Sequence, residues 1–194
     1  MKSYRMYASS INDRYIDEIV ETLRRGGVVV YPTDSTYAIG CDALSNRAVE
    51  RVCRMRGINP AKQRLSMVCA DISQASDFAS IDNKAFRLLR DNLPGPFTFI
   101  LPASPRLAKA FKGRREVGVR VSGNEIARRL ASELGNPLLS ASAIWEDADP
   151  ETLGHAEEVK MRMEPLGPDA FIDAGDVPGV ETAVVSMMDS DAPE

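Results

Sequence analysis

Apolar residues recur along this chain in two rhythms, one of period 3.6 and one of short continuous runs, and their alternation predicts where helices and strands fall. Tyr15, Ile16, Ile19, Val20 and Leu23 recur at i, i+3 and i+4, so residues 12–25 read as an amphipathic helix. Gly26-Gly27 follows, as a left-handed helix cap requires. Strands are predicted at 28–32, from the run Val28-Val29-Val30, and at 36–40. Ser45 or Asn46 then caps a helix whose inner side carries Ala48, Val49, Val52 and Cys53. Gly57-Ile58-Asn59-Pro60 stops it, and a basic loop runs on to Leu65.

The second half repeats the pattern. Residues 65–69 read as a strand, Asp71 opens a short helix, and Asp82 caps a longer one bearing Ala85, Phe86, Leu88 and Leu89. Leu93-Pro94-Gly95-Pro96 breaks the chain before a strand at 97–101. A helix over 105–112, a strand over 117–121, a helix over 124–134 and a strand over 138–142 follow. Residues 146–154 read as a polar acidic loop, a helix begins near 155, and strands near 169–173 and 182–187 close the pattern. Strands and helices alternating in this way predict an α/β domain around a twisted sheet. We expect one domain over 1–188, its core at 17–185, with 189–194 a fraying tail.

Composition narrows the classes. An apolar share of 44% in 194 residues is enough for one substantial core. No run of about 18 apolar residues predicts a membrane span, and Met1-Lys2-Ser3-Tyr4-Arg5 leads into polar residues rather than the apolar stretch of a signal peptide. A cytoplasmic protein with no membrane partner is expected. Cys41, Cys53 and Cys69 are widely spaced in apolar contexts and the single histidine, His155, is far away, so no zinc spacing exists. Buried reduced thiols are expected, and no metal ligand is assigned.

The charge distribution is uneven. Residues 144–194 hold 14 acidic side chains against two basic ones, whereas 1–143 hold 22 basic against 14 acidic. Arg47, Arg51, Arg54, Arg56, Lys62 and Arg64 form one basic cluster, and Arg106, Lys109, Lys112, Arg114, Arg115 and Arg120 another. Either a cationic surface for phosphates or nucleic acid, or a set of solvated helix faces, fits this split.

The chain has no P-loop and no Rossmann glycine fingerprint. What remains is a set of strand-end hydroxyls and basic residues: Thr33 and Ser35, Arg54 and Arg56, Thr98, Arg120, Ser140 and Ser142. The stretch from Tyr31 to Asp42 suits a small polar ligand and equally suits plain turn chemistry. Arg54 and Arg56 can both face an anion only if the helix unwinds there, which Gly57 permits. Guanidinium forks grip phosphate or carboxylate through paired hydrogen bonds. Arg120, inside an apolar strand, is costly to bury without an anionic partner. Such a set fits phosphoryl or adenylyl chemistry, in which positioning and charge stabilisation dominate.

Five landmarks in order carry a resemblance: Tyr31-Pro32-Thr33-Asp34-Ser35 with Gly40-Cys41-Asp42, Arg54-Met55-Arg56, Pro94-Gly95-Pro96-Phe97-Thr98, Val119-Arg120-Val121 and Leu139-Ser140-Ala141-Ser142. Over residues 17–185 the chain resembles the YrdC/YciO family, the threonylcarbamoyl-AMP synthase-like proteins. The resemblance implies a YrdC-like twisted mixed sheet flanked by helices, with a large positively charged concave cavity. It implies ATP as a substrate, with Mg²⁺, together with a threonine-like amino acid and bicarbonate. The implied product is threonylcarbamoyl-adenylate, formed by nucleotidyl transfer with release of pyrophosphate and destined for the t6A modification of tRNA. By the same resemblance Thr33, Ser35, Arg120 and Thr182 would meet the amino acid, and Arg56, Thr98, Ser140 and Ser142 the nucleotide. Arg54, Arg56 and Ser142 would be catalytic. Double-stranded RNA or tRNA binding is also implied, with Arg51, Lys62 and Arg64 as contacts; a binding protein that uses the same cavity without this chemistry is the alternative.

Two positions depart from the synthase pattern. Its Lys-x-Arg is here Arg54-x-Arg56, and its Ser-x-Asn is Ser142-Ala143-Ile144. Arginine keeps the charge but replaces a compact ammonium with a planar fork. Isoleucine cannot replace an amide hydrogen bond, and an unpaired polar group costs about 1–3 kcal/mol. Arg-x-Arg without the asparagine resembles the YciO branch, whose own substrate these residues do not specify.

Overall fold

A computed structural model of the chain describes residues 1–59, 63, 65–106, 113–149 and 151–188. The elements are β1 (Lys2–Arg5), α1 (Asp13–Arg24), β2 (Val29–Pro32), β3 (Tyr37–Asp42), α2 (Asn46–Met55), β4 (Ser66–Val68), α3 (Ile72–Ser76) and α4 (Asn83–Asn92). They continue with β5 (Phe97–Pro102), β6 (Glu116–Arg120), α5 (Glu125–Leu134), β7 (Leu138–Ser142), α6 (Ala156–Met163), a 3-10 turn (Glu164–Leu166), β8 (Ala170–Asp173) and β9 (Ala183–Ser186). The local signals worked as read. Asn12, Ser45, Asp71, Asp82 and Asn124 each accept a backbone N–H in the first turn of the helix they precede, and Gly26, at φ 82°, takes the left-handed conformation that ends α1. Two elements were not anticipated, β1 and the 3-10 turn. The helix expected over 105–112 falls largely outside the described residues, as do Lys62, Arg64 and the tail 189–194.

The described strands form one mixed nine-stranded sheet in the order β1-β8-β2-β3-β7-β4-β6-β5-β9. Directly paired residues share a face of a sheet and alternate residues lie on opposite faces, so the register sorts the side chains. One face carries Val30, Ile39, Met67, Phe99, Val119 and Leu139, which pack in a single cluster with Val52 of α2, Leu89 of α4 and Val159 of α6. The opposite face carries Val29, Tyr31, Ala38, Val68 and Leu138, packed against Ile19, Val20 and Leu23 of α1 and Ile126 and Leu130 of α5. Each fully buried aliphatic side chain contributes about 1.5–3 kcal/mol relative to exposure, so these two layers hold the sheet from both sides.

That second layer covers only part of its face. Ile100, Gly118, Ser66, Ser140 and Gly40 lie opposite one another across β5, β6, β4, β7 and β3, and Thr98 and Arg120 lie two residues further along the same face. Apart from Ile100, these positions are small or polar rather than apolar. They floor a cavity.

Candidate functional site

The cavity has a volume of about 370 Å³. Its polar side is made by Ser66, Thr98, Arg120, Ser140, Ser142 and Thr182, and its apolar side by Val52, Cys53, Ile58, Leu65, Ile100 and Val184, with Leu139 and Ala141 between. Three strands, β5, β6 and β7, and the residue before β9 thus bring together five of the residues expected in the site: Thr98, Arg120, Ser140, Ser142 and Thr182. Ser66, which sequence reasoning did not single out, joins them.

Arg120 is the one charged side chain among the described lining residues, and it is only 6% exposed. Its Nη2 donates to Ser35 Oγ at 3.1 Å and to Asp34 Oδ1 at 3.3 Å. Its Nε is buried and has no partner among the described residues. Burial pulls the guanidinium pKa down, while Asp34 opposes the shift; arginine still remains cationic. Asp34 is itself braced, accepting from Ser122 Oγ and from the Gly123 N–H, both at 2.7 Å. Asp34 and Ser122 were not in the expected site set, and their role is to hold Arg120 rather than to line the cavity.

Thr33 and Ser35 do not line the cavity. Thr33 Oγ1 donates to the Thr36 carbonyl and lies 3.0 Å from Ser35 Oγ, and it accepts the Ser35 N–H at 3.1 Å. Both side chains are buried in this turn. The turn reading and the site reading therefore meet, because the turn presents Asp34 and Ser35 to Arg120 from behind. A segment after β8 is fastened to the same turn: the Gly179 N–H donates to the Ser35 carbonyl at 2.7 Å. Further along that segment, Thr182 Oγ1 stands 3.3 Å from Thr98 Oγ1.

Ser140 is supported from the other side. Tyr31 hydroxyl donates to Ser140 Oγ at 2.9 Å, which leaves the Ser140 hydrogen available to a ligand. Burial pushes the Tyr31 phenol up to about 12, partly offset by that hydrogen bond, so it stays a donor at neutral pH.

The Arg54-x-Arg56 pair is split. Arg54 is exposed on the last turn of α2, where a cation complements the helix dipole, and does not line the cavity. Arg56 is half-buried just past that helix and donates through Nη2 to the Ile144 carbonyl. It thereby ties the end of α2 to the loop after β7, and burial lowers its pKa. Arg51 lies elsewhere, its guanidinium used by Asp169 Oδ2 and the Gly167 carbonyl, both at 2.6 Å. Lys62 and Arg64 are outside the described residues. Trp145, partly buried against the larger core cluster, has Arg162 over its ring at 5.3 Å. Cys41, Cys53 and Cys69 are free and buried, as expected.

A mixed nine-stranded sheet packed by helices, with a partly polar cavity around a buried arginine, defines an α/β protein of the YrdC-like architecture. The chain belongs to the Sua5, YciO and YrdC family: the family model, described as "Telomere recombination", matches residues 21–194. The uncharacterized protein YciO of Escherichia coli (strain K12) is 36% identical over 188 residues, covering 96% of this chain and 90% of that protein. The crystal structure of E. coli YciO superposes with a TM-score of 0.89 at 34% identity, covering 100% of this chain and 94% of that one. A threonylcarbamoyl-AMP synthase of Vibrio vulnificus (strain YJ016) is 34% identical over 132 residues, 66% of this chain and 70% of the synthase. P. abyssi Sua5, in a crystal structure complexed with L-threonine, superposes with a TM-score of 0.81 at 28% identity; the match covers 95% of this chain but 53% of that one. No helix among the described residues is long and apolar enough to cross a membrane.

Proposed function

We propose that this protein binds ATP and a threonine-like amino acid in the cavity and forms or handles a carbamoyl-adenylate of that amino acid, in support of the t6A modification of tRNA. The observation that carries this reading is Arg120: a buried guanidinium at the cavity wall with Nε unpaired among the described residues, ready for a carboxylate or phosphate oxygen. The relatedness to a threonylcarbamoyl-AMP synthase and to a Sua5 that holds L-threonine supports the choice of ligand.

In this reading the amino acid's carboxylate pairs with Arg120, and Thr182 closes that side. Thr98, Ser140 and Ser142 supply hydroxyls to the nucleotide. Carboxylation of the amine by bicarbonate gives a carbamate, releasing water. The carbamate oxygen then attacks the α-phosphorus of ATP, and the bond to the leaving pyrophosphate breaks. Mg²⁺ arrives with the triphosphate as part of the substrate; among the described residues no three His, Cys, Asp or Glu side chains converge as a metal-binding group. The residues around the nucleotide chiefly orient it and stabilise charge. Ile144 provides no side-chain amide there, which makes the reaction about ten- to a hundred-fold slower than with asparagine at that position.

The test is pyrophosphate release with ATP, Mg²⁺, L-threonine and bicarbonate, together with calorimetric titration of each ligand. Threonine-dependent release that disappears in Arg120→Met is the expected result. If the wild-type protein binds neither ATP nor L-threonine, the reading is wrong.

A further inference from the structure

We propose that Gly154 and Tyr37, neither of which lines the cavity, are positioning residues that act on it through a strap, residues 174–182, that carries Thr182 to the cavity wall. The proposal rests on the ligand reading above only for the probes that test it. The strap leaves β8, next to one edge of the sheet, and enters β9 at the other edge, passing six strands in nine residues. Strands stand about 4.8 Å apart, and an extended chain advances at most about 3.6 Å per residue. So short a crossing has little slack, and its anchors decide where Thr182 stands.

The first anchor is Tyr37. Its hydroxyl donates to the Gly175 carbonyl at 2.6 Å and accepts the Ala174 N–H at 3.0 Å. The side chain is buried, and its ring stacks on Phe171 of β8 with centroids 5.5 Å apart. Asp176 next accepts the Ala156 N–H at 3.1 Å, at the start of α6. Gly154 is the middle anchor. Its carbonyl accepts the Val177 N–H at 2.9 Å, and the strap lies directly on its backbone. A Cβ at 154 would stand 2.0 Å from the Val177 carbonyl oxygen and 2.9 Å from the Gly179 nitrogen. Both atoms are main chain, so any other residue at 154 must push the strap away. Gly175 and Gly179 take φ of 74° and 72°, bends open to glycine that lead the strap from Tyr37 past Gly154 to Ser35. There the Gly179 N–H meets the Ser35 carbonyl, and Thr182 Oγ1 reaches Thr98 Oγ1 at 3.3 Å.

The experiment compares wild type with Gly154→Ala, with Tyr37→Phe, which keeps the ring and removes the hydroxyl, with Thr182→Ala, and with each of the first two combined with Thr182→Ala. Amide exchange is measured without ligand, the Gly154→Ala and Tyr37→Phe proteins are crystallised, and all variants are titrated calorimetrically with ATP and L-threonine. Exchange at Gly179 and Val180 should be about tenfold faster in Gly154→Ala and Tyr37→Phe, with β3 and β6 unchanged, and Thr182 should stand away from Thr98. L-Threonine should bind each single variant about tenfold more weakly, with no further loss in the double variants, because all the substitutions act on one contact. Losses that add in full would make Gly154 and Tyr37 merely structural and overturn the proposal. So would wild-type exchange and an unmoved Thr182 in both variants, whatever the ligands do. If Gly154→Ala does not fold, Tyr37→Phe decides by the same measurements. If wild type binds neither ATP nor L-threonine, the proposed function fails, and the exchange and the position of Thr182 still decide the strap.

Discussion

At the scale of single residues, the site depends on a few polar groups whose partners are now identified. Asp34 fixes Arg120 while Ser122 and Gly123 fix Asp34, so Asp34→Ala should weaken threonine-like ligands by about tenfold through a misplaced guanidinium. Asp34→Asn, which keeps one carbonyl acceptor, should restore part of that affinity in the same titration. Tyr31 offers a pH test. Burial raises its phenol to about 12, against about 10 in the unfolded chain. The stability this contributes is complete below pH 10 and is lost as the pH rises toward 12. Denaturant melts of wild type and Tyr31→Phe should therefore converge over that interval, and a constant difference would dissociate Tyr31 from the alkaline loss. The split arginines make a third case. Arg56 binds the main-chain carbonyl of Ile144, a bond that an asparagine side chain at 144 would leave intact. Ile144→Asn with Arg54→Lys should thus raise pyrophosphate release by about tenfold or more; a rate left at background would remove the account of a weakened synthase.

At the scale of elements, helix starts were legible because capping is a local contract between one side chain and the next turn. Asp82 accepts the Ala85 N–H at 2.8 Å, and Asp82→Ala should cost about 1 kcal/mol in chemical denaturation while leaving ligand affinity unchanged. β1 was not legible. Lys2-Ser3-Tyr4-Arg5 buries only Tyr4, so no alternation marks it as a strand, and it is held by parallel pairing with β8 from the other end of the chain. Ser66 was missed for a related reason. A single hydroxyl in the run Leu65-Ser66-Met67-Val68 reads as an imperfect core strand until the residues opposite it are known.

At the scale of the whole molecule, the sheet order decides both the site and its mobility. β1 and β9 are the edges, and the segment from 175 to 182 reaches the site through main-chain bonds to Ser35 and the contact of Thr182 with Thr98. Edge elements with few buried contacts open at lower free energy than central strands. Hydrogen exchange at Gly179 and Val180 should accordingly be faster than in β3 and β6, and should slow on saturation with the bound ligand; unchanged rates would exclude closure over the cavity.

The sequence alone determined the α/β class, almost every described helix and strand, the helix caps and the family resemblance. Those properties follow from local period and short-range bonding. Only the tertiary structure decided which residues meet. Arg54 and Arg56 are two apart in sequence yet part company at the end of α2, whereas Thr98, Arg120, Ser66 and Ser140 converge from four strands. The pairing of strands far apart in the chain is not written in the period of any one of them, and neither is the uncovered part of the sheet face on which the cavity stands.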